Sequence, residues 1–154
     1  MAIPKTLQNW AGSWAGKSKL NLPWLDEDKR ISTSTSKLHV DTDDNHAFAT
    51  LTYTWEHEGK KQEGTLLVAG HSKSPEIEVA WVDSWHQNTG ILHCTGTVGE
   101  GDHIKVRGSY KAGTEVWGWT IALKPEGEHI RLVMENVTPA GEAEWAVDAL
   151  YTRS

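Results

Sequence analysis

The chain has a single cysteine, Cys94, among its 154 residues, so no internal disulfide can staple it. No apolar stretch follows Met1 to act as a signal segment, and the two features together point to a reducing, cytoplasmic home. No run approaches the ~18 apolar residues that a membrane-spanning helix needs. Basic clusters are equally scarce: Lys60-Lys61 is the longest, and the formal net charge is −6. Nucleic acids and anionic membranes both attract proteins through cationic surface, so neither is an expected partner. The eight histidines include no His-x-His, no His-Glu-x-x-His and no cysteine partner, and no metal site is expected. The glycines form no loop between a strand and a helix that could cradle a phosphate. With only one phenylalanine and three tyrosines, most of the aromatic content must come from elsewhere.

It comes from tryptophan, of which there are nine. Each carries a large apolar area and an N–H that needs a partner when buried, which suits a core, an interface or a lined cavity. The length fits one domain spanning residues 1–154, large enough to bury roughly 68–70% of its unfolded surface without staples. Helical signals are confined to the start. Pro4 to Trp10 can form a short helix covering a barrel end, and Leu25 to Arg30 a second turn.

Elsewhere apolar residues recur at spacing two, the period of a strand. Strands are expected over Gly12–Leu22, Ile31–Val40, His46–His57, Gln62–Ala69, Glu76–Trp85, Ile91–Val98, Ile104–Tyr110, Val116–Leu123, Ile130–Val137 and Glu144–Thr152. In the third, Ala47, Ala49, Leu51, Tyr53 and Trp55 share a face. In the fifth, Ile77, Val79, Trp81, Asp83 and Trp85 oppose a face marked as solvated by Glu76 and Glu78. Short strands at 8–12-residue intervals with Gly, Pro, Asn and Asp turns predict an all-β fold. Short connections favour a single closed antiparallel up-and-down barrel of about ten strands. Such a barrel commonly has room for a small ligand.

Four segments carry a resemblance: Gly12-Ser-Trp-Ala-Gly16, Lys19-Leu-Asn-Leu-Pro-Trp24, Trp81-Val-Asp-Ser-Trp-His86 and Glu144-Trp-Ala-Val-Asp-Ala-Leu-Tyr-Thr-Arg153. Together they resemble a family of short bacterial proteins of unknown function with a calycin-like barrel. The Gly-x-Trp-x-Gly opening is shared more loosely with lipocalins, fatty-acid-binding proteins and the haem-binding nitrobindins. The resemblance implies a cavity for a hydrophobic or amphipathic molecule and no established activity. A nitrobindin-like haem site calls for a histidine near the end of the chain, and here the last is His129.

The candidate site residues are Tyr53, Trp55, Trp81, Asp83, Trp85, His86, Trp117 and Trp119. The six aromatic ones belong to inward faces of three strands: they line a hollow barrel or fill a solid one. Asp83, on an apolar face, either anchors a ligand or His86, or fixes the barrel by accepting hydrogen bonds. Strict alternation turns His86 away from Asp83, whereas a bulge brings both to one rim as an orienting pair for a general base. Arg107 and Arg131 share parity with polar residues and are expected outside. His86 and His93 fall on neighbouring strands and are placed to approach each other. The leading expectation is a binding protein, monomeric or dimeric, that takes a small apolar or amphipathic molecule without a cofactor. The alternatives are a hydrolase or isomerase using Asp83 and His86 at the barrel mouth, and a haem protein.

Overall fold

The computed structural model of the chain describes residues 3–154. One short helix, α1 (Lys5–Asn9), precedes ten strands: β1 (Gly12–Asn21), β2 (Ile31–Thr42), β3 (Phe48–His57), β4 (Lys60–His71), β5 (Ser74–Asp83), β6 (Gln87–Val98), β7 (Ile104–Ala112), β8 (Glu115–Glu126), β9 (His129–Val137) and β10 (Ala143–Arg153). Each strand pairs antiparallel with the next, and β10 returns to β1, so the meander closes into a barrel. A 3₁₀ turn, Glu100–Asp102, sits between β6 and β7. The segment Leu25 to Arg30 forms turns, one of them closed by the Lys29 N–H on the Asp26 carbonyl at 2.8 Å.

Alternation holds over the ordered parts of β3 and β5, whereas Ala47, expected on the inward face of β3, is exposed ahead of the strand. Ala49, Leu51, Tyr53 and Trp55 are buried on β3, as are Ile77, Val79, Trp81 and Asp83 on β5. Arg107 is exposed, and Arg131 binds Glu126 and Asp148 on the outside of the wall. Strand ends depart from the pattern where a carboxylate captures backbone N–H groups. Asp43 accepts from Asn45, Ala47 and Phe48, which holds the turn and starts β3 at Phe48 instead of His46. Asp83 does the same at the far end of β5, accepting from Trp85 and His86 at 2.8 Å each. The strand therefore stops two residues before Trp85.

One end of the barrel is plugged. Leu7 and Trp10 of the α1 segment join the core, and Thr6 donates its backbone N–H and its hydroxyl to Asp102 Oδ2 at 3.2 and 2.7 Å. The first and last strands meet here. Arg153 lies 4.3 Å over the Trp14 ring and donates to the carbonyls of Ala11 and Asn9, while Trp14 Nε1 donates to the carbonyl of Trp10. A guanidinium on the carbonyls that end a helix satisfies groups the helix leaves open.

The interior is filled. Leu38, Leu51, Leu66, Val68, Val79, Ile121, Leu123 and Leu132 are all within 2% of complete burial. Gly64 is part of this packing: a Cβ there would lie 2.2 Å from the Tyr53 hydroxyl, so only glycine lets that ring lie against β4. The space left among Ser18, Tyr53, Met134 and Tyr151 is about 10 Å³, room for one water at most.

Candidate ligand site at the barrel mouth

The end opposite α1 is built differently. Asp83 lies 3% exposed below it. Its Oδ1 takes the two backbone N–H groups that turn the chain. Its Oδ2 accepts the Tyr53 hydroxyl at 2.6 Å and Trp55 Nε1 at 3.3 Å, and Tyr53 in turn accepts Trp81 Nε1 at 2.9 Å. Burial raises the carboxyl's pKa, but His86 beside it and the Tyr53 hydroxyl outweigh that, so the net displacement is downward. The same surroundings act oppositely on Tyr53: burial first, then the Asp83 charge, hold its phenol well above the usual range. Asp83 is thus an ionised hub that accepts hydrogen bonds from Tyr53 and Trp55 and fixes the turn that carries His86.

The turn at Asp83 also decides where His86 goes. The β5–β6 register shifts between Trp81 and Asp83, and regular alternation is lost. His86 consequently faces inward, on the side of Asp83. Its Nδ1 is 3.7 Å from Asp83 Oδ1, beyond hydrogen-bond range, and its side chain is 10% exposed. Trp55, Trp81, Trp85 and Trp119 surround the ring at centroid distances of 5.4, 6.3, 4.7 and 5.4 Å. Trp81 and Trp119 stack at 5.1 Å with planes 12° apart, so Trp119 forms the floor between core and opening.

Above that floor opens a recess of about 590 Å³, within the size range of small-molecule sites. Trp24, Trp85, Trp117, Trp119, Trp145 and Tyr110 supply its aromatic surface, and His86, Asn21, Asn136 and Glu144 its polar groups. Tyr110 donates to Asn136 Oδ1 at 2.6 Å across the rim. Two buried polar atoms of lining residues have no partner: Trp119 Nε1 and Asn21 Oδ1. A buried polar atom without a hydrogen bond is costly, and its persistence at a recess calls for an explanation.

The predicted residues therefore divide. Tyr53, Trp55 and Trp81 belong to the packed interior, with Asp83 holding them. Trp85, His86, Trp117 and Trp119 reach the recess, which Trp85 does from the turn after β5 and not from the strand. The expected approach of His86 to His93 does not occur. His93 is outside the wall, where it and His71 bind the two oxygens of Glu78 at 2.8 and 3.2 Å. Sequence reading missed Asn21, Trp24, Tyr110, Asn136, Glu144 and Trp145. They lie at the ends of β1, β7, β9 and β10 or in the following loop, and only barrel closure brings them together. His129 begins β9 at the plugged end, far along the barrel from the recess.

A wider depression of about 1310 Å³ runs across β1 to β6 and is lined by side chains such as Lys37, His39, Thr52, Thr54 and Glu63. None of its lining residues holds a buried, unpartnered polar atom. Among the described residues no group of three or more His, Cys, Asp or Glu is arranged to hold a metal ion, and no helix is long and apolar enough to cross a membrane.

A closed ten-stranded antiparallel meander, plugged at one end and open at the other, is consistent with a calycin-like barrel. The chain belongs to the family described as "Protein of unknown function (DUF1579)", which it matches over residues 3–153. No curated protein matches it. Among solved structures it is similar to the crystal structure of Rv2717c from M. tuberculosis, with a TM-score of 0.70, 17% identity and 99% of each chain covered. At that identity the likeness concerns the fold alone.

Proposed function

We propose that this protein binds a small apolar or amphipathic molecule in the recess at the open end of the barrel, not in its filled centre. The observation that carries the reading is the contrast between the two regions. The centre has room for about one water, whereas the mouth holds 590 Å³ walled by five tryptophans and a tyrosine. Indole rings combine large contact area with few rotatable bonds, so they lose little entropy when a ligand stacks on them. Trp119 Nε1 and Asn21 Oδ1 supply one donor and one acceptor where a bound molecule is expected to be oriented.

The indole N–H signals in NMR test this directly. A small library of neutral and charged aromatic fragments should shift Trp85, Trp117, Trp119 and Trp145 and leave Trp10 and Trp14, at the plugged end, unmoved. Trp117→Ala, at a half-buried rim position, should weaken the binding fragments by about tenfold, the order expected for one lost aromatic contact. A folded protein in which no fragment moves any of the five mouth indoles, Trp24 included, would sink the proposal.

A further inference from the structure

The charge of the recess says more about its ligand than its shape does. Among the fourteen lining residues there is no lysine or arginine. The carboxylate of Glu144 is at the rim, and that of Asp83 lies beneath the floor, 3.7 Å from His86, the one basic ring in the lining. A carboxylate or phosphate headgroup entering here would meet aromatic faces and an acid, with the Trp119 N–H as an unpartnered donor but no fixed cation. Aromatic faces carry negative quadrupole density and attract cations instead.

A second observation, independent of the first, concerns Asn21. The residue is 8% exposed. Its Nδ2 donates to the carbonyl of Trp145 at 2.8 Å, which fixes which way the carboxamide points. The other end must therefore be oxygen, and that oxygen is buried without a donor. The carbonyl that holds the amide end belongs to Trp145, the residue after Glu144. The acceptor side of the recess is thus the junction of β1 and β10: an unused carbonyl oxygen, the carboxylate of Glu144 among the lining residues, and surrounding indoles. A group that satisfies all three is a protonated amine.

We infer that the mouth selects an organic ammonium ion carried on an aromatic or apolar body, with the N–H donors toward Asn21 Oδ1 and Glu144 and the body against Trp85, Trp117 and Trp119. This rests on the mouth being a binding site, and it makes anionic amphiphiles such as fatty acids the wrong ligands for this barrel.

Three probes of matched size separate the possibilities: 2-phenylethylammonium, 2-phenylethanol and 3-phenylpropanoate, each titrated into the intact chain while the mouth indole signals are followed. The ammonium should bind at least tenfold more tightly than the alcohol, and the carboxylate least. Glu144→Gln, an exposed rim position, should reduce ammonium affinity about threefold and leave the alcohol unchanged. Asn21→Leu should remove most of the remaining preference, with the dispersion of the indole signals reporting that the fold is intact. Equal binding of ammonium and alcohol, or tighter binding of the carboxylate, would overturn the charge assignment while leaving the mouth as a site. No response to any of the three up to millimolar concentration would overturn the assignment too. The broader fragment library then decides separately whether the mouth binds anything.

Discussion

Asp83 shows how one side chain can organise both a core and a turn. Four donors converge on its two oxygens: the Tyr53 hydroxyl, Trp55 Nε1 and the backbone N–H groups of Trp85 and His86. Replacing it with asparagine keeps the volume but turns one acceptor oxygen into an NH₂ group facing donors. Asp83→Asn should therefore cost about 3 kcal/mol, on the order of breaking a buried charge-assisted network. For a chain of this length that lowers Tm by about 10 °C in a calorimetric scan. His86 should also lose its fixed position among the tryptophans, visible as altered ring-current shifts of its imidazole protons. A Tm within 2 °C or so of the parent would mean that the network is redundant. The alternating pattern of β5 already placed Asp83 inside. That it accepts from residues on both sides of it in space depended on Tyr53 and Trp55 of β3 arriving across Gly64, which no local pattern states.

At the scale of elements, α1 is only five residues long, and a helix this short is not stable alone. Tertiary contacts hold it: Leu7 and Trp10 in the core, Asp102 on Thr6, and Arg153 on the carbonyls of Asn9 and Ala11. Arg153 and Trp14 stand at opposite ends of the sequence, and barrel closure through the β1–β10 pairing makes them neighbours. Arg153→Ala should cost about 1 kcal/mol, since the guanidinium is largely exposed and its bonds are to carbonyls. It should speed amide exchange in residues 5–11 well beyond any change in the strands. Lysine at 153 should rescue little, because it cannot fork between two carbonyls while stacking on an indole. Uniformly faster exchange across the barrel would show instead that closure itself depends on Arg153.

For the whole molecule, acid stability follows from carboxylates whose pKa values are displaced downward. Asp83 is the buried one; Asp43 is lowered chiefly by the Phe48 N–H, Glu78 by His93 and Glu126 by Arg131. A carboxyl with a lower pKa in the folded than in the unfolded chain binds fewer protons when folded. Its contribution is complete above the usual carboxylate range, near pH 4, and is lost as pH falls through the lower folded value. Stability should be flat from neutrality to about pH 5 and then decline. Added salt should weaken the part due to the three exposed groups more than the part due to Asp83. In Asp83→Asn the decline should be shallower, from a lower plateau. Denaturant midpoints measured between pH 2 and 7 would show this, and an unchanged slope in the variant would remove Asp83 as a source.

Sequence alone determined the strands, their inward faces and the closed meander, because period-two alternation and short turns are local properties and closure follows once every connection is short. It also placed Asp83 inside and the outward arginines outside. Tertiary structure alone decided that the centre is solid and the opening lies at one end, because filling depends on how side chains from ten strands meet. It decided the facing of His86, since the backbone hydrogen bonds at Asp83 break the alternation that a sequence reading must assume. It gathered Asn21, Tyr110, Asn136, Glu144 and Trp145 around Trp119, residues from strand ends far apart in the chain that share a rim only because β10 pairs with β1.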